Sequence, residues 1–450
     1  MKSLRLKSLP LIMSLILFAC APNVIPPIDN DDELDEELPE VPSPIEYIFT
    51  DPVETNRANT NFLPAFEGQT RVQGVITSTP YTSTILTNQL NEPWGIDVLP
   101  SGELVITEKT GQLRILKLDG SLSEPIRGFP SLNTTGQGGL LDVAVSPNFI
   151  EDRMLVFTLS LRTQNGSLSA VMKAQLSSDL SSLSNMTIIH QATPSFSSNA
   201  HFGSRVVFDH NGALLISTGD RQSLQTRGNA QTLNNGHGKI IRITLDGDPA
   251  PNNPFIDQGG YARYIYAYGL RNTQGLAIHP QTQELWGSDM GPRGGDELNR
   301  ILSSKNYGWP FITYGTEYNG TLINQGKTQN DGMEQPVYYW DPAVAPSGMI
   351  FYHSDVIKEW ENNIFIATLR GNHIIRLVLK GNTVLAEERL LSSEGQRFRD
   401  LAMGLQGEIY AITDEGRLYK ISKLNNFKVG KKMSFQLFNF LCFFTNISYT

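Results

Sequence analysis

Cysteine is scarce in this chain, and basic residues are not in excess. Only Cys20 and Cys442 occur among 450 residues, which leaves neither a disulfide framework nor a cysteine-based metal site. The formal net charge is −9, and residues 29–40 alone hold eight acids and no base. The remainder is close to neutral, without the basic stripe that nucleic-acid-binding proteins carry. The composition therefore argues against a disulfide-stapled scaffold and against nucleic acid as a partner.

Several catalytic signatures are also missing. No H-E-x-x-H, G-x-S-x-G, P-loop or G-x-G-x-x-G pattern occurs, which argues against zinc proteases, serine hydrolases and nucleotide-binding enzymes. The seven histidines are scattered, without the spacing of metal ligands. With 40% hydrophobic and 18% charged residues the chain is typical of a soluble globular protein. Its length permits either several domains or one large all-β domain.

The N-terminus predicts export. Three basic residues precede a short apolar run at 9–18, and Cys20 follows it; this pattern marks an export signal rather than a permanent membrane span. It resembles a bacterial lipoprotein signal, with cleavage before Cys20 and lipid on that residue. We expect a signal peptide at 1–20, a periplasmic location and membrane contact only through the lipid. A plain secretory signal is the alternative. Residues 21–75 predict an acidic, proline-rich linker and lead-in.

From residue 76 to 424 the pattern predicts an all-β fold, a six-bladed β-propeller with long inserted loops on the active-site face. Short apolar runs of strand length recur, many bounded by Gly or Asp-Gly turns. A loose repeat of strand, turn and strand favours stacked blades over a sandwich or barrel. Residues 425–450 do not fit this pattern and are expected to be an atypical tail. The clearest runs lie at 103–108, 113–118, 141–145, 154–159, 214–218, 240–245 and 364–368.

His201 is the strongest candidate for catalysis. It stands at the head of a predicted strand, and Asp220 closes the next one. An Asn211-Gly212 turn would join the two strands and bring both side chains to one rim. A carboxylate beside an imidazole fixes its tautomer and raises its basicity, as a general base requires. The alternative is a histidine held by a structural hydrogen bond.

Arginines and glycine-rich loops suggest binding of anions and cations. Arg271, Arg370, Arg397 and Arg399 lie at strand ends or loop starts, and convergent guanidinium groups suit a ligand with several carboxylates or phosphates. The stretch at 268–310 is rich in glycine and polar residues. Within it, two short pairs suggest oxygen ligands for a hard cation such as calcium; they are Gly291-Pro292 and Asp296-Glu297. The alternative is an ordinary long turn.

Taken together, these segments resemble the soluble quinoprotein glucose/sorbosone dehydrogenase family, in particular its aldose sugar dehydrogenase branch. The resemblance runs in order through residues 76–422. Its segments are PWGIDVLPSGELVITEKTG (93–111), GQGGLLDVAVSPNF (136–149), HFGSRVVFDHNGALLISTGD (201–220), GKIIRI (238–243), YGLRNTQGLA (268–277), GPRGGDELN (291–299), NYGWP (306–310), APSGMIFY (345–352) and QRFRDLA followed by GEIYAITDEG (396–416).

The resemblance implies a six-bladed propeller that binds pyrroloquinoline quinone (PQQ) and Ca²⁺ and oxidises aldose sugars at C1 to lactones. His201 would be the general base, oriented by Asp220, while Arg271 would stabilise charge on the quinone oxygen. Further residues would contact cofactor or sugar, and others the calcium. For the cofactor and sugar they are Gln137, Arg271, Asn272, Gln274, Arg370, Arg397 and Arg399. The carbonyls of Gly291 and Pro292 would hold the catalytic calcium, and Asp296 and Glu297 a neighbouring structural calcium region.

Two departures from the family pattern stand out. Met290 replaces a residue that is usually polar, and Arg370 stands where glucose-oxidising relatives have lysine. Two other functions stay open on sequence alone: a non-catalytic propeller that binds sugar or protein, and a calcium-dependent propeller lactonase. The sequence does not identify the preferred sugar, the electron acceptor or the oligomeric state.

Overall fold

The computed structural model describes residues 45–424. The predicted signal peptide (1–20), the first part of the predicted linker (21–44) and the predicted tail (425–450) lie outside the described residues. Within 45–424, no helix is long and apolar enough to cross a membrane.

Short strands are the main regular structure of the described chain. One α-helix, α1 (Phe149–Asp152), and 3-10 turns at Arg227–Gln231, Ile256–Gln258, Ala262–Tyr264, Asn324–Gly326, Lys358–Trp360 and Ser392–Glu394 interrupt them. In chain order the strands are β1 (Ile48–Thr50), β2 (Gly74–Ile76), β3 (Tyr81–Thr87), β4 (Pro93–Val98), β5 (Leu104–Glu108), β6 (Gln112–Leu116), β7 (Leu140–Val145), β8 (Met154–Thr163), β9 (Gly166–Leu176), β10 (Leu183–Gln191), β11 (Val206–Phe208), β12 (Leu214–Ser217), β13 (Lys239–Ile243), β14 (Ile265–Tyr268), β15 (Thr273–Ile278), β16 (Leu285–Asp289), β17 (Asp296–Ile301), β18 (Tyr338–Trp340), β19 (Pro346–Phe351), β20 (Ile364–Thr368), β21 (Ile374–Lys380), β22 (Thr383–Leu390), β23 (Phe398–Met403), β24 (Ile409–Thr413) and β25 (Leu418–Lys423).

These strands form six sheets, which are the blades of a propeller. Blades 1 to 4 are β4–β6, β7–β10, β11–β14 and β15–β18; blade 5 is β19–β22 extended by β2 and β1; blade 6 is β23–β25 with β3. The innermost strands β4, β7, β11, β15, β19 and β23 contact each other in cyclic order. The predicted all-β, six-bladed propeller is therefore confirmed.

The ring closes by joining the two ends of the propeller sequence. Strand β3 comes from before blade 1, yet it pairs antiparallel with β25, with Ser83 opposite Ile421. Blade 6 thus contains strands from both ends, and hydrogen bonds between them close the ring.

Each interface between neighbouring blades has its own apolar core. Strand β12 contributes side chains to two of these cores, one on each face of the strand. Leu214 and Ile216 pack toward blade 2, whereas Leu215 packs toward blade 4. Side chains alternate along a strand, so a continuous apolar run suits a strand that is covered on both faces. Each fully buried Leu or Ile contributes roughly 1.5–3 kcal/mol.

A buried ion cluster crosses the centre of the ring. Arg205, at the start of blade 3, lies 2.8 Å from Asp142 of blade 2 and 2.6 Å from Asp400 of blade 6. Its Nε also donates to the main-chain oxygen of Gln274 in blade 4 at 2.6 Å. One side chain therefore ties four inner strands together just below the site face.

Part of the predicted linker and lead-in is folded against the propeller. Residues 45–75 contain β1 and most of β2, which extend blade 5. Asn59 and Thr60 donate to the carboxylate of Asp341, which follows β18. Glu54 pairs with Arg389 of β22 at 2.7 Å. These contacts fix the segment to blades 4 and 5.

Candidate active site

His201 and Asp220 lie at one rim of blade 3, where the β11–β12 hairpin brings them. The imidazole Nδ1 is 2.6 Å from Asp220 Oδ1, and the two residues are only 3% and 2% exposed. The carboxylate therefore holds the proton on Nδ1. Nε2 makes no hydrogen bond to any residue within 45–424, and His201 lines an open pocket. The pair has the form of a general base with its orienting carboxylate.

The backbone holds His201 in an uncommon conformation. Its φ angle is 50°, a region that non-glycine residues rarely adopt and that costs roughly 1–3 kcal/mol. Its main-chain N–H donates to Oε1 of Gln137 at 2.8 Å. A Cβ at Gly219 would overlap the carbonyl of His201, so only glycine lets the two loops approach this closely. Gln137 therefore positions the base through its main chain.

The environment keeps His201 neutral. The pKa of His201 is lowered to about 4, first by burial and then by the positive charge of Arg271, while the bond to Asp220 opposes both. Burial raises the pKa of Asp220 more than any other single influence, but the interactions with His201, the charge of Arg271 and the main-chain N–H of Gln222 together outweigh burial and leave that pKa below its usual value. At neutral pH the pair is a free imidazole beside a carboxylate, which is the form that can accept a proton.

Trp309 is a third member of this group that the sequence analysis did not single out. Its indole Nε1 donates to Asp220 Oδ2 at 2.8 Å, and the ring is 5% exposed. The residue belongs to the NYGWP segment in the long loop 302–337. The only sequence signal was a tryptophan in a motif shared with the family.

Arg271 lies beside the base, in the loop between β14 and β15. Its Nη1 donates to the main-chain oxygens of Met290 and Gly291 at 2.8 and 2.7 Å. Its main-chain N–H and that of Asn272 donate to the carboxylate of Asp289. The guanidinium is thus fixed at the edge of the pocket, where it can stabilise negative charge.

The pocket in front of His201 has a volume of about 630 Å³. Arg271 and Trp309 form its inner wall, and Tyr318 and Asn319 contribute to the outer wall. Arg227 and Glu317 also line it and pair with each other at 2.6 Å. These polar groups suit a hydroxyl-rich ligand. Sequence reasoning missed Arg227 and Glu317, because they lie 90 residues apart.

A second cavity, of about 230 Å³, is lined by Arg397, Arg399, Gln274 and Trp94. Arg397 and Arg399 both bind Asp414, at 2.9 and 2.8 Å. Nη1 of Arg399 also donates to Oε1 of Gln274 at 3.1 Å. Two of the four arginines predicted to meet an anionic ligand, Arg397 and Arg399, therefore converge on one cavity, whereas Arg271 lines the pocket of His201.

Two further predicted cofactor residues lie elsewhere. Arg370 is exposed and is not among the residues that line the cavity. Asn272 is fully buried; its Oδ1 accepts from the main chain of Gly203, and its Nδ2 lies 3.7 Å from Met290 Sδ. Met290 itself lines the second cavity. Asn272 is therefore placed to hold the loops that carry the base and Met290.

The predicted calcium residues divide into two groups. The main-chain oxygen of Gly291 already accepts from Arg271, so it faces positive charge. Pro292 lines the pocket of His201. A Cβ at Gly291 would overlap the carbonyl of Gly295, so glycine is needed there. Carbonyl oxygens, such as those of this loop, are ligands that a hard cation prefers.

The two acids predicted for calcium are engaged differently. Both oxygens of Asp296 accept main-chain N–H groups, from Gly291, Val344 and Ala345, at 2.7–2.8 Å. Glu297 accepts from Asn299 at 3.0 Å. Within 45–424, no three His, Cys, Asp or Glu side chains are grouped to hold a metal ion. A calcium ion here would depend on main-chain carbonyls and on oxygens from the cofactor.

Comparison with known proteins identifies the family of this site. A family model described as glucose/sorbosone dehydrogenase matches residues 90–420. This chain belongs to the glucose/sorbosone dehydrogenase family. It is 39% identical over 346 residues to the aldose sugar dehydrogenase YliI of Escherichia coli, covering 76% of this chain and 92% of that protein.

Solved structures agree with this family membership. The crystal structure of the soluble aldose sugar dehydrogenase from Escherichia coli in the apo form superposes with a TM-score of 0.73, at 38% identity, covering 76% of this chain and all of that chain. The PQQ-bound aldose sugar dehydrogenase of Streptomyces coelicolor gives a TM-score of 0.63, at 26% identity, covering 77% of this chain and 99% of that chain.

Proposed function

We propose that this glucose/sorbosone dehydrogenase family member is a PQQ- and Ca²⁺-dependent enzyme that oxidises aldose sugars at C1 to lactones. One observation carries the proposal: a buried His201–Asp220 pair faces an open polar pocket and stands near a separate cavity lined by arginines. The family match and the PQQ-bound relative support the same reaction class.

His201 takes the proton of the C1 hydroxyl group. Its Nδ1 is tied to Asp220, so Nε2 carries the lone pair that accepts the proton. As the O–H bond breaks, a C=O bond forms at C1, and the hydrogen on C1 leaves with its electron pair. Asp220 stabilises the resulting imidazolium, and Arg271 lies beside it as a fixed cation for developing negative charge.

The cofactor supplies the oxidant that this protein's side chains lack. When bound, PQQ would supply the acceptor for the hydrogen and electron pair released from C1, and Ca²⁺ would supply Lewis-acid polarisation. Arg397 and Arg399 fit the carboxylates of this group, because Asp414 orients both guanidinium groups. The carbonyls of Gly291 and Pro292 fit the cation.

Reconstitution tests the proposal. Full-length protein is loaded with PQQ and Ca²⁺, and reduction of an artificial dye is followed with glucose and other aldoses. We expect sugar-dependent reduction that disappears when PQQ is omitted or Ca²⁺ is chelated. Protein that binds no PQQ and reduces no dye would favour a non-catalytic propeller. Lactone hydrolysis without dye reduction would favour a lactonase.

We further propose export and lipid attachment at Cys20, which supports a periplasmic site of action. The two cysteines provide a matched test. Palmitate labelling in a bacterial host should be lost in Cys20→Ala and kept in Cys442→Ala. An unlabelled wild-type protein would leave a plain secretory signal as the better description.

A further inference from the structure

We infer that Trp309 is a positioning residue for the His201 base: its indole N–H fixes the Asp220 carboxylate and moderates the pull of that carboxylate on the imidazole proton. The inference deepens the proposed function and depends on it for its catalytic meaning. Its structural basis is a chain of three side chains, from Trp309 through Asp220 to His201.

Asp220 has defined donors on both of its oxygens. Oδ1 accepts from His201 Nδ1 at 2.6 Å and from the main-chain N–H of Gln222 at 2.8 Å. Oδ2 accepts from the indole of Trp309 at 2.8 Å. The carboxylate is 2% exposed, so solvent cannot replace a lost donor cheaply. The indole therefore sets both the rotation and the charge density of this carboxylate.

Trp309 is itself firmly held. Its main-chain N–H donates to Gly269 O at 2.9 Å, and its carbonyl accepts from Gln231 Nε2 at 2.8 Å. The ring packs on Ala230 and Ile323. The loop 302–337 thus delivers a rigid donor to the blade 3 rim.

Two cations strengthen this donor. The guanidinium carbons of Arg227 and Arg271 each lie 5.3 Å from the indole centroid. A cation over an aromatic face draws on its π-electrons, which makes the indole N–H a better donor. The same ring contacts Arg227 at the pocket wall and donates to the buried carboxylate of Asp220. Trp309 therefore links the pocket wall to the base.

The charges that face His201 determine the direction of the expected effect. Asp220 raises the basicity of the imidazole, while Arg271 and Arg221 lower it; Arg227 and Glu317 pair with each other at the pocket wall. The indole bond withdraws negative charge from Asp220. Removing that bond leaves the carboxylate a stronger attractor of the imidazole proton. The pKa of His201 then rises, and the acid limb of the activity profile moves to higher pH.

Trp309→Phe removes the donor and keeps an aromatic ring. In the holoenzyme with glucose, we expect the acid limb of kcat/KM to move up by about one pH unit and kcat to fall about 10-fold, with KM within about 2-fold. Trp286→Phe is the matched control, because Trp286 is 1% exposed and its Nε1 has no hydrogen-bond partner within 45–424. The control should show neither change. An acid limb that stays at the wild-type pH in Trp309→Phe, or moves equally in the control, would overturn the inference.

Two additions keep the test decisive. If Trp309→Phe folds poorly, 3-benzothienyl-alanine at position 309 replaces only N–H by sulfur and should give the same shift. Histidine titration by NMR in cofactor-free protein, assigned with His201→Gln, should show the upward shift without any turnover. Should wild type oxidise no sugar while this titration shift is present, the proposed reaction fails and the positioning contact stands. Absence of the titration shift refutes the contact whatever the activity.

Discussion

Two buried charge clusters in this propeller look alike in composition but differ in what they leave free. In the first, His201 meets Asp220; in the second, Arg205 meets Asp142 and Asp400. Both are almost inaccessible to solvent. The nitrogens of Arg205 are all engaged, because they donate to two carboxylates and to two main-chain oxygens. His201 keeps one nitrogen that faces a pocket.

The pKa values in the two clusters make the same point. Burial raises the pKa of Asp400 to about 7 despite the charge of Arg205, and neighbouring Asp142 adds to the rise. Burial lowers the pKa of His201 to about 4. Both values are strongly shifted, so the shift alone does not mark catalysis. Both clusters border a cavity, but only His201 has a ring nitrogen without a hydrogen-bond partner within 45–424, and this distinguishes the candidate base from the structural cluster.

The largest effect on turnover is expected when the lone pair on Nε2 of His201 is removed. His201→Gln should lower kcat by about 10³-fold or more, since general-base catalysis contributes roughly 10²–10⁴-fold, and should leave PQQ affinity nearly unchanged. Steady-state dye reduction and a PQQ titration measure the two quantities. The exposed His210→Gln serves as the control. Wild-type turnover in His201→Gln would remove this residue from its role.

Breaking the buried ion cluster of Arg205, Asp142 and Asp400 should lower the stability of the fold. Arg205→Met leaves Asp142 and Asp400 buried without their cation, so the free energy of unfolding should fall by about 3–5 kcal/mol, measured by urea denaturation at pH 8. The deficit should shrink as pH falls, because protonated carboxyl groups need no cation. Lys173→Met, which breaks an exposed pair with Asp246, should cost under about 1 kcal/mol. An equal loss of unfolding free energy in Arg205→Met and Lys173→Met would show that the buried cluster is no more important for stability than a surface ion pair.

Asp220→Asn tests the orienting carboxylate within the active cluster. Turnover should fall about 10²-fold, because the imidazole loses its fixed tautomer. Asp220 raises the pKa of His201, so its neutralisation lowers that pKa, and the acid limb of kcat/KM should move to lower pH. This is opposite to the direction expected for Trp309→Phe. A shift of the acid limb of kcat/KM to higher pH in Asp220→Asn would show that Asp220 does not raise the pKa of His201.

A smaller effect is expected in the arginine cavity. Arg399→Met should weaken PQQ binding about 10- to 100-fold, the range for one charged hydrogen bond of roughly 1.5–3 kcal/mol. Arg370→Met should change it less than about 2-fold, because Arg370 is exposed and outside the cavity lining. Titration of each cofactor-free variant with PQQ measures both. If Arg370→Met weakened PQQ binding as much as Arg399→Met, Arg370 would contact the cofactor, as the family resemblance implies.

The sequence by itself determined the propeller and the position of its candidate base. Short apolar runs predicted β20 at 364–368 and all of β5 within the run 103–108, since strand alternation and turn chemistry are local properties. The Asn211-Gly212 turn was enough to place His201 and Asp220 at one rim, because a hairpin fixes the register of its two strands.

Only the tertiary structure decided which distant groups complete the site. Trp309 reaches Asp220 across 89 residues of chain, and Arg227 reaches Glu317 across 90. Asp296 is predicted from sequence to lie in a calcium region, and the loop between blades 4 and 5 brings the N–H groups of Val344 and Ala345 onto its carboxylate. Such contacts depend on how long loops pack after the ring has closed. Local sequence patterns specify strands and turns, but they carry no information on which loop meets which at the rim.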